Sequence, residues 1–180
     1  MSHRVRAAVI PAARLELRPL LPEHAPEMAE VLSDPALHTF TGGAPLAPAA
    51  LRARYERLHA GSPDPEVVWC NWVLHASAER CLVGTVQATL GGPAADRTAE
   101  VAWVVGTPWQ GRGYATEAAR ALVGWLAARS VSQVIAHIHP RHRASAAVAR
   151  AAGLAPTGHW QDGEVRWRAV VAGGGPSHEP

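Results

Sequence analysis

The chain reads as one α/β domain of the α+β kind, built on a central mixed, mostly antiparallel sheet of about seven strands with four helices. Three observations predict it. Residues 67–75, 82–90 and 98–105 are runs rich in Val, Trp and Thr that follow one another across short turns, as neighbouring antiparallel strands do. After them the pattern changes to strand, helix, strand, helix over 98–105, 116–128, 133–139 and 145–151. That order implies a parallel or splayed pair, because parallel strands need a crossover connection. Between the two regimes sits Gln110-Gly111-Arg112-Gly113-Tyr114-Ala115, a glycine turn joining the apolar run that ends at Val105 to the amphipathic run that starts near Thr116.

Each element has its own signal. Leu15-Glu16-Leu17-Arg18 alternates and stops at Pro19, a first strand. Residues 22–32 form a helix with Met28, Val31 and Leu32 inward, ended by Asp34-Pro35. Residues 41–48 hold two glycines and two prolines and read as a loop, with Gly42-Gly43 at a substrate rim. Residues 49–59 are a second helix whose Leu51, Tyr55 and Leu58 share one face. Two strands then form a hairpin about Ser77 to Arg80, and Gly91-Gly92-Pro93 turns the chain into the strand at 98–105. Ala115, Ala118, Ala119, Leu122, Val123 and Leu126 keep helical spacing, so that helix packs on the sheet. Pro140 closes the strand at 133–139, and Gly153 stands just past the short helix at 145–151, in the C′ position. The last strands, 154–160 and 165–171, turn at Asp162-Gly163.

Composition bounds the rest. With 180 residues, 48% apolar and 18% charged, the chain is one globular domain over 1–172, with 173–180 a flexible tail. A net charge of +2 does not call for nucleic acid or an anionic membrane. All 17 basic residues are Arg, which excludes lysine Schiff-base chemistry. The N-terminal residues lack the apolar core of a secretory signal, and no apolar run is long enough to span a bilayer, so a soluble cytoplasmic protein is expected. Cys70 and Cys81 fall on paired strands, with Cys70 opposite about Gln87. At ~3.4 Å per residue they lie beyond disulfide reach and read as small hydrophobes.

A strand that ends in a glycine turn and feeds a helix leaves several N–H groups pointing at one spot, where an anion belongs. Gly111 and Gly113 can take left-handed angles and admit a phosphate to the main chain, and Arg112 adds a positive charge at the rim. The stretch lacks both the G-x-x-x-x-G-K-[ST] pattern and the third glycine of a dinucleotide fingerprint. It resembles instead the Q/R-x-x-G-x-G/A acetyl-CoA signature of the GCN5-related N-acetyltransferases, in the form of the RimJ/RimL-type branch. Two more blocks resemble the same family: Glu100 to Val105 looks like its fourth strand, and His139-Pro140-Arg141-His142-Arg143-Ala144-Ser145 with Gly153-Leu154 resembles its H-P-x-N-x-A-S…G-[FL] block. The likeness covers roughly residues 14–171.

The resemblance implies the family's fold, with its fourth and fifth strands splayed, and acetyl-CoA as cosubstrate. Gln110, Gly111, Arg112, Gly113, Tyr114, Ala115 and Thr116 would hold the pyrophosphate. Trp103, Val104 and Val105 would run beside the pantetheine arm at a bulge, one freed N–H binding the thioester oxygen. Glu100 is either the acceptor of the amine proton or a strand-end carboxylate paired with an arginine. Ser145 is either the group that meets the leaving sulfur or a helix N-cap. His142 replaces the family's Asn, and a neutral imidazole there donates one hydrogen bond to the cofactor arm. His137 and His139 share a strand face, but no third and fourth ligand accompanies them, so no metal is expected. Trp160 and Trp167 are candidates to wall an acceptor pocket. The implied activity is acetyl transfer to a primary amine, either a peptide N-terminus or a small molecule, by direct attack in a ternary complex. The alternative is a non-catalytic acyl-CoA sensor or interaction module. Edge strands in this fold also allow a homodimer.

Overall fold

The computed structural model describes residues 5–171. One eight-stranded sheet runs through them. In chain order the elements are β1 (Ile10–Pro11), β2 (Leu15–Pro19), α1 (Ala25–Val31), α2 (Pro48–Ala60), β3 (Val68–Ala76), β4 (Cys81–Gly91), β5 (Arg97–Val105), α3 (Tyr114–Ala127), β6 (Val131–Ile138), α4 (Arg143–Ala151), β7 (Ala155–Gln161) and β8 (Glu164–Val170). Spatial order is β1-β2-β3-β4-β5-β6-β8-β7. Every neighbouring pair is antiparallel except β5 and β6, the pair that α3 crosses over to make.

The strand count differs from the seven expected because of β1, two residues whose Ile10 and Pro11 pair with Leu17 and Glu16. So short a strand, half of it proline, carries no alternation to detect. The helix expected over 22–32 is divided: Pro22–His24 is a single 3-10 turn, and α1 starts at Ala25 with Pro26 in its first turn, where the missing N–H is no loss. The sheet register places Cys70 opposite Ala88, one residue from the expected Gln87. Both cysteines are free, Cys70 buried and Cys81 half-buried. Gly153 takes a φ of 93° past α4, and Asp162 and Gly163 both have positive φ in the last hairpin, as those positions require. Residues 173–180 lie outside the described residues.

The two faces of the sheet are covered differently. On one, Ala118, Leu122 and Leu126 of α3 pack on Ala99, Val101, Val134 and Ala136, with Trp72 edge-on to Trp125 at 5.1 Å. On the other, α1 and α2 bury Met28, Val31, Leu51 and Tyr55 against Val73 and Leu82. The open face beyond them carries Glu100, His137 and Arg166, each one residue out of phase with the buried positions. No helix among the described residues is long and apolar enough to cross a membrane.

The parting of β5 and β6 opens the sheet. Their pairing ends at Glu100 and Ile135, while β5 stays on β4 as far as Val105 and β6 stays on β8 as far as Ile138. A wedge therefore widens toward the ends of both strands. It needs no bulge at Trp103 to Val105. The β4–β5 register runs unbroken from Thr98 to Val105, and the irregularity lies instead at Arg97/Thr98, where β5 meets β6.

Candidate active site

The glycine turn lies at the mouth of the wedge. After a 3-10 turn at Thr107–Trp109 the chain passes Gly111 (φ 74°) to Gly113 (φ 81°), the N-cap of α3. A side chain at φ near 80° is strained, so glycine belongs at both positions. The first bond of the helix runs from Glu117 N–H to Gly113 O at 3.0 Å. The N–H groups of Tyr114, Ala115 and Thr116 thus have no partner inside the helix, and they emerge at the positive end of its dipole.

A network braces the turn from behind. Glu79, in the turn before β4, accepts from Arg112 Nη1 at 2.6 Å and from the Tyr114 hydroxyl at 2.8 Å. The Tyr114 bond first, then a backbone hydrogen bond at Glu79 and the Arg112 charge, hold the Glu79 carboxyl below the usual carboxylate range. Arg14 pairs with Glu117 at 3.0 Å, donates to Arg112 O at 2.8 Å and lies over the Tyr114 ring. Arg112, expected to face a cofactor, is turned to the support of the turn. Arg112 is not among the residues lining the wedge, because its guanidinium is paired with Glu79. Gln110 lines the wedge and gives one amide N–H to Val105 O at 2.9 Å. The backbone from Gly113 to Thr116 is what the turn presents.

The wedge is a cavity of about 540 Å³ lined by Val101 to Val105 of β5, Ala136 to His139 of β6, the glycine turn, and Ser145 and Val148 of α4. Trp103, Val104 and Val105 line it as expected. Phe40 reaches it from the loop before α2 and stacks on His142 at 4.5 Å and on His139 at 5.1 Å.

His142, not Ser145, is the N-cap of α4. Its Nδ1 accepts the Ser145 N–H at 3.3 Å, so the ring proton of the neutral form sits on Nε2, 3.2 Å from Ser145 Oγ. Burial, and then the His139 charge, lowers the His142 pKa and favours that neutral form. Both ring nitrogens are thus engaged by Ser145, and His142 lines the wedge, where a cofactor arm would compete with Ser145 for its Nε2–H. Ser145 is the third residue of α4. With its Oγ accepting from His142, its own hydroxyl proton turns away from the ring and is free to be donated.

Glu100 lines neither this cavity nor the next. Its Oε1 lies 2.7 Å from His137 Nδ1. Its expected arginine pairing is absent among the described residues; Arg166 instead donates to His137 Nε2 at 3.2 Å. Of the tryptophans considered for an acceptor wall, Trp160 is 63% exposed and Trp167 is buried, and neither lines either cavity.

A second cavity of about 360 Å³ adjoins the first along Ala102 to Val104. Gly42 stands on it, as the rim reading expects, with Leu51, Tyr55 and Leu58 of α2 on one side and Asn71, Thr85 and Gln87 of the sheet on the other. Among the described residues no carboxylate lines it; Arg54, His38 and Tyr55 are its ionisable groups. The Tyr55 hydroxyl is buried without a hydrogen-bond partner among those residues, and burial pushes its pKa up to about 12. Neither Tyr55 nor Phe40 nor Glu79 carried a signal in the sequence beyond an apolar or loop position.

No protein of curated function matches the chain. Solved structures do. An acetyltransferase of the GNAT family from Bacillus anthracis aligns at 19% identity with a TM-score of 0.74, covering 91% of this chain and 98% of that one. RimL, a ribosomal L7/L12 alpha-N-protein acetyltransferase solved with coenzyme A, aligns at 16% identity and TM-score 0.75, over 93% of this chain and 100% of its own. The microcin C7 self-immunity acetyltransferase MccE, solved with acetyl-CoA and AMP, aligns at 14% identity and TM-score 0.72, over 88% and 93%. The family model described as the acetyltransferase (GNAT) domain matches residues 14–155. With the splayed β5 and β6, the glycine turn at the head of α3 and that match together, the chain belongs to the GNAT family as an acetyl-CoA-dependent N-acetyltransferase.

Proposed function

We propose that the acceptor is the N-terminus of a peptide or protein, as it is for RimL among the structural neighbours. The observation that carries this is the second cavity, which meets the wedge at Ala102 to Val104 and offers Arg54 but, among the described residues, no carboxylate. A polycationic drug would meet no opposite charge there. An extended peptide would find apolar walls at Leu51 and Leu58 and hydrogen-bonding groups at Asn71, Thr85 and Gln87.

The residues present fit acetyl-CoA. Free N–H groups at the head of α3 suit a pyrophosphate, and Gly113 leaves the main chain bare where it would sit. The thioester supplies an activated acetyl carbon, and the chain does the rest. The edge of β5 from Val101 to Val105, released from β6, is free to bond the pantetheine amides and the thioester oxygen. Glu100, half-exposed on the open face and outside both cavities, takes a proton from the acceptor ammonium through water, which frees the amine to attack. As the tetrahedral intermediate collapses, Ser145 passes a proton to the departing thiolate and regains one from the nitrogen that becomes the amide, with His142 Nε2–H bonded to its oxygen. No group of the protein becomes acylated.

The test is thiol release from acetyl-CoA with a peptide bearing a free N-terminal serine, against spermidine as the polycation. The peptide should be turned over at least about tenfold faster in kcat/KM, a difference of ~1.4 kcal/mol. Equal or faster turnover of spermidine would overturn the acceptor assignment. Ser145→Ala should lower kcat about 10²-fold with little change in KM for acetyl-CoA.

A further inference from the structure

Glu100, His137 and Arg166 form a row across three adjacent strands, β5, β6 and β8, at the point where β5 and β6 part. His137 and Arg166 are direct cross-strand partners, and Glu100 belongs to the last residue pair that joins β5 to β6. The hydrogen bonds along the row have one direction. A guanidinium only donates, so Arg166 Nε, 3.2 Å away, makes His137 Nε2 an acceptor. The single proton of the neutral ring is then on Nδ1, 2.7 Å from Glu100 Oε1. Burial is graded in the same sense. The His137 side chain is 7% exposed and that of Glu100 is 49%, so the support is enclosed and the carboxylate reaches solvent. His137 lines the wedge; Glu100 does not.

We propose that His137 is the positioning residue for Glu100: with its tautomer fixed by Arg166, its Nδ1–H holds the carboxylate in place to take the proton of the incoming amine. This rests on the N-acetyltransferase reading above. When the acceptor R–NH3⁺ gives its proton through water to the free Oε2 of Glu100, the nitrogen lone pair is released to attack the thioester carbon. Glu100 becomes a neutral acid, the His137 bond to it weakens, and the proton leaves to solvent over the exposed side. His137 itself keeps its proton throughout. The other charged or titratable groups beside the pair on this face are His139 just past β6 and Glu164 and Arg168 on β8; the residue facing Glu100 from β4 is the uncharged Thr89.

His137→Leu removes the donor, whereas His137→Asn can still donate to Glu100 and accept from Arg166. The experiment is steady-state turnover of acetyl-CoA and the serine peptide by both variants, alongside the imidazole ¹⁵N spectrum of the unmodified protein saturated with coenzyme A. The Leu variant should lower kcat about tenfold with KM for acetyl-CoA unchanged, and Asn should restore most of it. The ¹⁵N spectrum should show His137 protonated on Nδ1. An unchanged kcat in His137→Leu, equal losses in the Leu and Asn variants, or a proton on Nε2 would each overturn the proposal. If no amine is turned over, the N-acetylation reading fails, while the ¹⁵N spectrum still decides the pair.

Discussion

Gly84 tests whether the cleft wall is set by backbone packing. A Cβ built there would lie 2.2 Å from Val104 O and 3.0 Å from Val105 Cα, both main-chain atoms of β5. Carbon and carbonyl oxygen do not pack closer than about 3.3 Å, so Gly84→Ala must push β5 away by roughly 1 Å. No rotamer change relieves this, because the obstacle is the neighbouring strand. Overpacking of this kind costs about 1–3 kcal/mol, and weakening one or two β4–β5 hydrogen bonds adds about 1 kcal/mol. A loss of about 2–4 kcal/mol lowers Tm by very roughly 4–16 °C in a domain of this size. Val104 and Val105 line the wedge, so coenzyme A affinity should fall as well, by about tenfold or more. Gly91, on the same strand, is the control, since a Cβ added there would meet nothing within 4 Å; Gly91→Ala should be neutral or slightly stabilising, by up to about 1 kcal/mol. Urea unfolding and calorimetric titration with coenzyme A read both quantities. A Gly84→Ala protein as stable as Gly91→Ala, with unchanged affinity, would refute the packing argument.

Three further outcomes are expected at the site. Arg112→Ala should weaken coenzyme A binding by less than about threefold at 0.15 M salt, because the guanidinium is already paired with Glu79 on the surface; a loss beyond tenfold would mean that Arg112 leaves Glu79 for the phosphates. Tyr55→Phe should raise stability by about 1 kcal/mol, since it removes a buried hydroxyl without a partner; destabilisation in urea would show that the hydroxyl is bonded in solution. The pKa of His142 is lowered from 6.5 in the folded protein, so its contribution to stability is complete above pH 6.5 and is lost as pH falls through the lower folded value. His24, lowered likewise, acts in the same sense. His142→Asn should flatten the rise in stability with pH across this window, and denaturation curves of identical slope for both proteins would contradict it.

What the sequence disclosed was governed by local chemistry. Gly111, Gly113, Gly153 and Asp162-Gly163 announce themselves because few residues tolerate positive φ. The amphipathic face of α3 is legible for the same reason, in that its spacing alone dictates burial. Pairings between distant segments were not legible. Nothing near Arg112 says that Glu79 will neutralise it, and nothing near Glu100 says that its partner is His137, thirty-seven positions on. The two meet only because β5 and β6 run parallel in one particular register. Ser145 was readable as a helix-start residue but not as the third one, since His142 is an uncommon cap whose role depends on its neutral ring. The wedge itself needed no local bulge; it comes from β5 and β6 each following its outer neighbour.

The most direct test of the central claim is acetyl transfer itself, followed as free thiol and as peptide mass with acetyl-CoA and the N-terminal serine peptide. One thiol released for each peptide gaining a single acetyl group on its α-amine is the predicted result. Coenzyme A binding with no thiol released on the peptide or on any amine would contradict it, and would make the chain an acyl-CoA sensor rather than an enzyme.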